Sequence, residues 1–217
     1  MIRDVEHLLD RLSARIGNWR DKPEMNGMEK KVYTTVDVLD RETSMVTSRH
    51  TQESNGRSTP ARFVDALLEL TEGYESDLPF NMTTFDTTHD DMVVLTGLPI
   101  ASLCAHHMLP WIGKADLAYI PGEAKLGLSK FPRYVRFKGH QLSSQEELTG
   151  EIADGLVKAL KEPRGVYLII TAIHTCVVAR GAMEDGASTT TAAVRGVFKE
   201  DGMARDEARD LMRREYR

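Results

Sequence analysis

Two cysteines with histidine neighbours are the residues of this chain whose types and spacing most directly indicate chemistry. Cys104 and His107 form a CxxH pair in the segment Cys-Ala-His-His, and Cys176 ends the segment His-Thr-Cys. Zinc prefers thiolate and imidazole ligands, and a catalytic zinc site uses three protein ligands and keeps one position for water. The sequence therefore predicts that Cys104, His107 and Cys176 bind one catalytic zinc ion.

Strand periodicity supports the choice of Cys176 as the third ligand. Residues 165–179 form a nearly continuous apolar, β-rich run that is typical of a buried central strand. Side chains two positions apart on a strand share a face, so His174 and Cys176 are expected on the same surface. His106 and His174 would then remain available for acid–base chemistry near neutral pH.

Two simpler interpretations of these residues stay open at this point. The cysteines could form a disulfide, although a reducing cytosol disfavours it and gives metal ligation or catalysis more weight. They could also be unrelated core or surface residues, because a CxxH pair alone is a weak signal. The histidines outside the cluster are interpreted as ordinary surface residues: His7, His50, His89 and His140.

A basic segment indicates a site for an anion. Residues 125–138 carry five Lys or Arg side chains and no acid, in a chain whose net charge is -5. Ser129, Lys130 and Arg133 lie at a predicted helix start, where free N–H groups and the helix dipole favour negative charge. Arg180 lies four residues beyond Cys176 and could reach the same pocket. The alternative is a solvated basic face.

The next predicted helix begins at a capping-box pattern, Ser143-x-x-Glu146. Glu146 could cap that helix, or its carboxylate could accept hydrogen bonds from the N–H edge of a purine. Spacing alone favours the capping role.

The predicted fold class is α+β. An amphipathic helix is expected over residues 4–17 and another from Ser58, separated by an irregular polar stretch. From residue 80 the order is strand, strand, helix, helix, strand, strand, which is typical of an antiparallel sheet with helices on one face. A charged helix over about 203–215 closes the chain. The predicted domains are an N-terminal segment, 1–57, and a catalytic domain, 58–217.

Composition limits the classes of function. The 217 residues are 41% hydrophobic and 28% charged, which is typical of a globular protein with a core of useful size. The acidic balance argues against general nucleic-acid binding. No apolar run reaches the length of a membrane helix, and the charged start does not resemble a signal peptide. We therefore expect a cytoplasmic protein with no membrane partner.

Several motifs in order resemble the GTP cyclohydrolase I family. They are Cys104-Ala-His-His107, Gly127-Leu-Ser-Lys130 with Arg133, Gln145-Glu146-x-Leu-Thr149, and His174-x-Cys176-x-x-x-Arg180-Gly181. The resemblance covers about residues 58–215. It implies the tunnelling fold, with a four-stranded antiparallel sheet, helices packed on one face and subunits that join into a ring. It also implies a homodecamer with active sites at subunit interfaces.

The resemblance also implies a reaction and a role for each site residue. Zinc on Cys104, His107 and Cys176 would activate a water that attacks C8 of the guanine ring of GTP, and formate and 7,8-dihydroneopterin triphosphate would be released. His106 would transfer protons during imidazole-ring opening, His174 would help to open the ribose, and Ser129 would transfer a proton in the sugar rearrangement. Glu146, with Gln145, would hold the guanine edge. The triphosphate would be bound by basic side chains: Lys130, Arg133, Arg180 and Arg62.

This sequence departs from the family pattern at several positions. Ala105 replaces the usual Glu, and the segment before Leu148 reads Ser-Ser-Gln-Glu-Glu instead of the usual Gln-Val-Gln-Glu-Arg. Asp65 stands where some members carry a phosphate-facing Lys, and residues 18–59 do not match the usual N-terminal helical region. None of these changes removes a predicted ligand, but they leave the exact nucleotide, the regulation and the downstream pathway (folate, biopterin or deazapurine) open.

Two alternatives to the main hypothesis follow from the departures. The chain could be an enzyme of the same fold that acts on another guanosine nucleotide or stops at the formamide. It could also be a non-catalytic nucleotide-binding subunit, which would need neither His106 nor His174.

Overall fold

The computed structural model describes residues 65–74, 78–184 and 186–213. The chain divides into two compact units, Met1–Asp77 and Leu78–Arg217. In the first unit, the described part is a helical stretch at 65–69 and a 3-10 turn at Glu72–Tyr74. The helix predicted over 4–17, the irregular stretch 18–59 and the boundary at 57/58 lie outside the described residues, so all three stay predictions.

A five-stranded sheet forms the centre of the second unit. Its four long strands run antiparallel in the order β2-β3-β6-β7, and the short strand β5 pairs in parallel with β2 at one edge. A separate two-stranded sheet joins β1 to β4. The strands are β1 (Thr84–Asp86), β2 (Val93–Cys104), β3 (Pro110–Ile120), β4 (Ala124–Leu126), β5 (Leu142–Ser143), β6 (Gly165–His174) and β7 (Thr189–Gly196).

The structure confirms the α+β class and corrects the predicted sheet in two respects. The prediction of four strands missed β5, because a two-residue strand carries no readable periodicity. The strand predicted over residues 165–179 ends at His174, where the chain enters a helical turn, Thr175–Val178. Cys176 therefore does not lie on the strand, and the argument that placed it by strand alternation was wrong.

Helices cover both faces of the sheet, whereas one covered face was predicted. The helices are α1 (Lys130–Gly139), α2 (Gln145–Ala159), α3 (Thr175–Val178), α4 (Val197–Glu200) and α5 (Gly202–Met212). Side chains of α1 and α2 pack with Leu117 and Leu168 in the main core. Side chains of α4 and α5 pack on the opposite face with Ala118 and Tyr167. Since β6 is apolar at nearly every position, both of its faces require cover.

The N-cap of helix α2 lies one residue after the predicted cap, Ser143. Ser144 is its N-cap: the Glu147 N–H donates to Ser144 Oγ over 3.2 Å, and Ser144 Oγ donates to Glu147 Oε2 over 3.0 Å. Ser143 belongs to β5 and is buried. The reciprocal cap thus uses Glu147, and Glu146 is an exposed residue in the first turn that does not cap the helix.

No helix within the described ranges combines the length and apolarity of a membrane span.

Two glycines of α2 give a matched test of the packing between α1 and α2. A Cβ at Gly155 would overlap the hydroxyl of Tyr134, whereas a Cβ at Gly150 would lie 3.8 Å from its nearest neighbour, the Arg195 guanidinium. Tyr134 is 5% exposed, and burial, with Glu151 and Asp154 nearby, raises the pKa of its hydroxyl to about 12. Its rigid ring cannot move aside without opening the core.

We therefore expect opposite effects from the same substitution at the two positions. Gly155→Ala should destabilise the protein by about 1–3 kcal/mol through overpacking. Gly150→Ala should stabilise it by roughly 0.5–1 kcal/mol, because alanine loses less backbone entropy in a helix. Melting temperatures measured side by side test this, and equal melting temperatures for the two variants would contradict the packing described here.

Candidate metal centre

The turn between β2 and β3 holds the Cys-Ala-His-His segment in a fixed shape. The Cys104 carbonyl accepts hydrogen bonds from the N–H groups of His107 (3.2 Å) and Met108 (2.8 Å), and the Cys104 N–H donates to Leu109 O (2.9 Å). Met108 adopts a φ of 54°, which lets the chain reverse within this short turn. As a result Cys104 is buried at the end of β2, while His106 and His107 are exposed in the turn.

A hydrogen bond between the ends of two strands brings Cys176 to this turn. Trp111 and His174 are direct cross-strand partners of β3 and β6, so helix α3 begins beside the start of β3. The Thr175 hydroxyl donates to Pro110 O over 2.6 Å and fixes the first residue of α3 there. Cys176, one residue further, therefore lies near a turn that is more than sixty residues away in sequence.

The three predicted ligands converge. The ligand atoms of Cys104, His107 and Cys176 all lie within 4.8 Å of one another, and both cysteines are free thiols. Cys104 Sγ and His107 Nδ1 lie 3.7 Å apart. This is close to the distance of about 3.6 Å expected between a sulfur ligand and a nitrogen ligand of one tetrahedral zinc ion. Two sulfurs and one imidazole nitrogen thus fit a metal that prefers soft ligands and four positions.

His106 lies equally near to Cys104 but outside this cluster. Its Nδ1 is 3.8 Å from Cys104 Sγ, yet the described side chains that converge as a possible metal site are Cys104, His107 and Cys176. His106 is therefore a neighbour of the cluster whose ring remains available for other chemistry.

Burial and the neighbours Cys104 and Arg180 shift the pKa of the Cys176 thiol. Burial raises the pKa of its thiol, and the hydrogen bond and negative charge of Cys104 raise this pKa further, while the charge of Arg180 lowers it. Two adjacent thiolates repel each other, and a bound dication removes that penalty because it attracts both.

His174 is held by two contacts. Its imidazole stacks on the buried Trp111, with ring centroids 5.4 Å apart and an interplanar angle of 21°. Its Nε2 lies 2.8 Å from Gln145 Oε1. Burial lowers the pKa of His174, and the negative charge of Glu146 partly opposes this.

Strand β5 explains why the N-terminus of α2 lies beside the cysteine turn. Ser143 pairs with Cys104, and the Ala105 N–H donates to Ser143 O over 3.4 Å. Gln145 and Glu146 follow within three residues and form the first turn of α2. Glu146 is exposed, whereas Gln145 is 1% exposed and hydrogen-bonded to the sheet, so a substrate contact by Gln145 stays a prediction.

The predicted anion-binding residues begin helix α1. Ser129 is the N-cap with φ -68° and ψ -12°, and its side chain makes no capping hydrogen bond. Lys130 and Arg133 follow in the first turn, which contains no acidic residue. Arg180 follows α3 and is close enough to Cys176 to lower its pKa. Arg62 lies outside the described residues.

Sequence reasoning missed the supporting residues Trp111 and Thr191. Trp111 follows the Cys-Ala-His-His turn by four residues, so its place at the start of β3 was a usable signal. Thr191 gave no comparable signal, because its hydroxyl contacts that of Thr149, 42 positions away.

An antiparallel sheet covered by helices, with a two-cysteine, one-histidine cluster at the ends of its strands, defines an α+β protein with a candidate catalytic metal centre. The sequence profile described as GTP cyclohydrolase I matches residues 41–213. The chain therefore belongs to the GTP cyclohydrolase I family.

Individual relatives agree with this assignment. The chain is 44% identical over 164 residues to GTP cyclohydrolase 1 of Synechococcus sp. (strain JA-2-3B'a(2-13)), which covers 75% of this chain and 71% of the relative. It is 42% identical to GTP cyclohydrolase 1 of Gloeobacter violaceus, over 74% of this chain and 76% of the relative. It is 44% identical to GTP cyclohydrolase 1 of Mycobacteroides abscessus, over 72% of this chain and 78% of the relative. Among solved structures, archaeosine synthase QueF-Like in the apo form is similar over 48% of this chain and 93% of that chain, with a TM-score of 0.40 and 19% identity, a likeness too low to carry an argument.

Proposed function

We propose that this enzyme opens the guanine ring of GTP at C8, releases formate and forms 7,8-dihydroneopterin triphosphate. The observation that carries the proposal is the convergence of Cys104, His107 and Cys176 in a chain of the GTP cyclohydrolase I family. The retention of His106 and His174 beside this cluster favours catalysis over a nucleotide-binding subunit without activity.

Zinc is the metal that these side chains suit. They offer two thiolates and one imidazole, and with three protein ligands one tetrahedral position stays open. A zinc ion bound here would supply a water that is nucleophilic near neutral pH.

Protons would be moved by the two histidines that do not bind the metal. His106 lies 3.8 Å from the sulfur of a ligand and is exposed, so it can reach the guanine ring where it opens and transfer a proton to a ring nitrogen. His174 would serve the ribose: its ring is fixed against Trp111, and burial lowers its pKa, which favours the neutral imidazole. Ser129 would assist the later sugar rearrangement.

Substrate binding would combine a carboxylate and a basic helix start. Glu146 is exposed in the first turn of α2 and does not cap the helix. Its carboxylate can therefore accept hydrogen bonds from the N–H groups at the edge of guanine. The triphosphate would bind at the first turn of α1, with Lys130, Arg133, Arg180 and Arg62 as cationic partners. The guanine contact expected of Gln145 stays a prediction, since its side chain is buried.

The assembly is also part of the proposal. We infer a cytoplasmic homodecamer with the tunnelling fold and interfacial active sites, in which residues 58–217 form the catalytic domain. Strand β7 supports pairing between subunits, since it lies at an edge of the sheet with exposed residues. Ile112 and Ile173 add exposed apolar surface, at 61% and 49% of their area.

Turnover of GTP tests the proposed function. Purified, zinc-loaded protein is incubated with GTP, and formate and oxidised neopterin are measured over time. Equal amounts of both products are expected. Loss of GTP without either product would contradict the proposal in favour of an enzyme that stops at the formamide, and unchanged GTP would reject guanine-ring opening altogether.

The anion site gives a separate prediction with a control on the same helix. Arg133 and Arg136 are both exposed on α1, but Arg133 lies in the first turn and Arg136 in the last. Arg133→Gln should raise the KM for GTP by about 10-fold or more, because a charge-assisted phosphate contact contributes about 1.5–3 kcal/mol. Arg136→Gln should leave KM within a factor of about two. Equal effects of the two substitutions on the steady-state KM would indicate a general electrostatic attraction of GTP by the basic helix and would contradict a specific phosphate site at its first turn.

A further inference from the structure

The side chain of Gln145 lies between helix α2 and the last two strands of the sheet. It is 1% exposed. Its Nε2 lies 2.9 Å from Ile170 O, 3.0 Å from Thr189 O and 3.0 Å from Thr191 Oγ1, while its Oε1 lies 2.8 Å from His174 Nε2. One buried amide thus connects the strand pair β6–β7 to the histidine next to the metal cluster.

These partners determine which way the amide points. Ile170 O and Thr189 O are backbone carbonyls that can only accept hydrogen bonds, so the NH₂ group of Gln145 must face them. The reversed amide would place its oxygen against two carbonyl oxygens. Oε1 is therefore the atom that faces His174.

A chain of hydroxyl groups reinforces this orientation. Thr149 Oγ1 donates to Gln145 O over 2.6 Å, because a carbonyl accepts, and its own oxygen then accepts from Thr191 Oγ1 over 2.6 Å. Thr191 has used its proton in that bond, so its oxygen accepts from Gln145 Nε2. The network returns to the residue from which it started. Ile170 O, Thr189 O and Thr191 Oγ1 all act as acceptors in it and share the two N–H groups of Gln145 Nε2.

The consequence for His174 is a defined tautomer. An amide oxygen accepts only, so His174 Nε2 must carry the proton in the bond to Oε1. In the neutral imidazole this leaves Nδ1 as the basic nitrogen. The stack on Trp111 holds the plane of the ring at the same time.

We propose that Gln145 is a positioning residue that fixes His174 as the Nε2–H tautomer, so that Nδ1 is the nitrogen that accepts a proton during turnover. This inference rests on the proposed function for the assignment of a proton-transfer role to His174, but the tautomer itself is independent of activity. In this role Gln145 acts through His174.

The tautomer is tested directly by nuclear magnetic resonance. Zinc-loaded, assembled protein with ¹⁵N-labelled histidine is studied by magic-angle-spinning spectroscopy, and the His174 signals are assigned by their loss in His174→Gln. We expect protonated Nε2 and unprotonated Nδ1 for His174 in the wild type. Protonation at Nδ1 alone would overturn the proposal, whether or not the protein turns over GTP.

Variants connect the tautomer to catalysis. Gln145→Met keeps the side-chain length and removes the acceptor; it should lower kcat by about 10–100-fold, leave KM and zinc content nearly unchanged, and give a mixture of His174 tautomers. Thr191→Val should lower kcat less, and Thr191→Ser, which keeps the hydroxyl, should restore it. This second pair tests the network if Gln145→Met does not fold. Wild-type kcat with an unchanged tautomer in both Gln145→Met and Thr191→Val would reject a positioning role.

Discussion

Cys176→Ala is expected to abolish metal binding and GTP turnover together. The Cys176 sulfur is one of three ligand atoms that converge within 4.8 Å, and two ligands on one turn cannot retain a zinc ion tightly without the third. Zinc should fall from about one per chain to near zero, and turnover should fall at least about a thousandfold, because the activated water is lost. Metal analysis by mass spectrometry and a formate assay measure the two effects.

A neighbouring residue separates loss of the ligand from disturbance of the short helix. Val177 follows Cys176 in α3, is 36% exposed and offers no ligand atom. Val177→Ala should keep both zinc and turnover. Stoichiometric zinc in Cys176→Ala would show that the ligand assignment is wrong.

The adjacent histidines of the cysteine turn should differ sharply when each is replaced by alanine. Their Nδ1 atoms lie at almost equal distances from Cys104 Sγ, 3.8 Å for His106 and 3.7 Å for His107, but the converging ligand cluster contains His107 and not His106. His106→Ala should keep one zinc per chain, and its kcat should fall by about 10²- to 10⁴-fold, the range for loss of a general acid–base group. His107→Ala should lose the zinc itself.

This pair is informative because both residues are exposed in the same turn, so neither substitution removes core packing. Zinc content and kcat are measured on both variants in parallel. Release of the zinc by His106→Ala, or its retention by His107→Ala, would contradict these assignments.

The convergence of Cys104, His107 and Cys176 could be predicted from sequence, but the position predicted for Cys176 on strand β6 was wrong. The prediction relied on residue types: two cysteines, each flanked by histidine, in a chain with few alternatives for a soft metal. The geometry that was assumed, with His174 and Cys176 on one strand face, does not occur, since β6 ends at His174. Local periodicity could not show this, because the strand end depends on the Thr175 bond to Pro110, 65 residues away.

The cap of helix α2 illustrates a different case, in which the structure corrects a prediction made from spacing. Ser143 and Ser144 are adjacent and both are followed three residues later by Glu, so two capping boxes fit the sequence. The choice of Ser144 follows from β5, which commits Ser143 to pairing with Cys104. Pairing of so short a strand is a tertiary effect, and no window of residues around it could have indicated it.

X-ray absorption at the zinc edge measures the ligand set of the bound metal. On wild-type protein loaded with one zinc per chain, we expect two sulfur ligands at about 2.3 Å and two lighter ligands, one of them imidazole nitrogen, at about 2.0–2.1 Å. That result would match Cys104, Cys176, His107 and one open position taken by water. A spectrum with one sulfur or none at the zinc would contradict it.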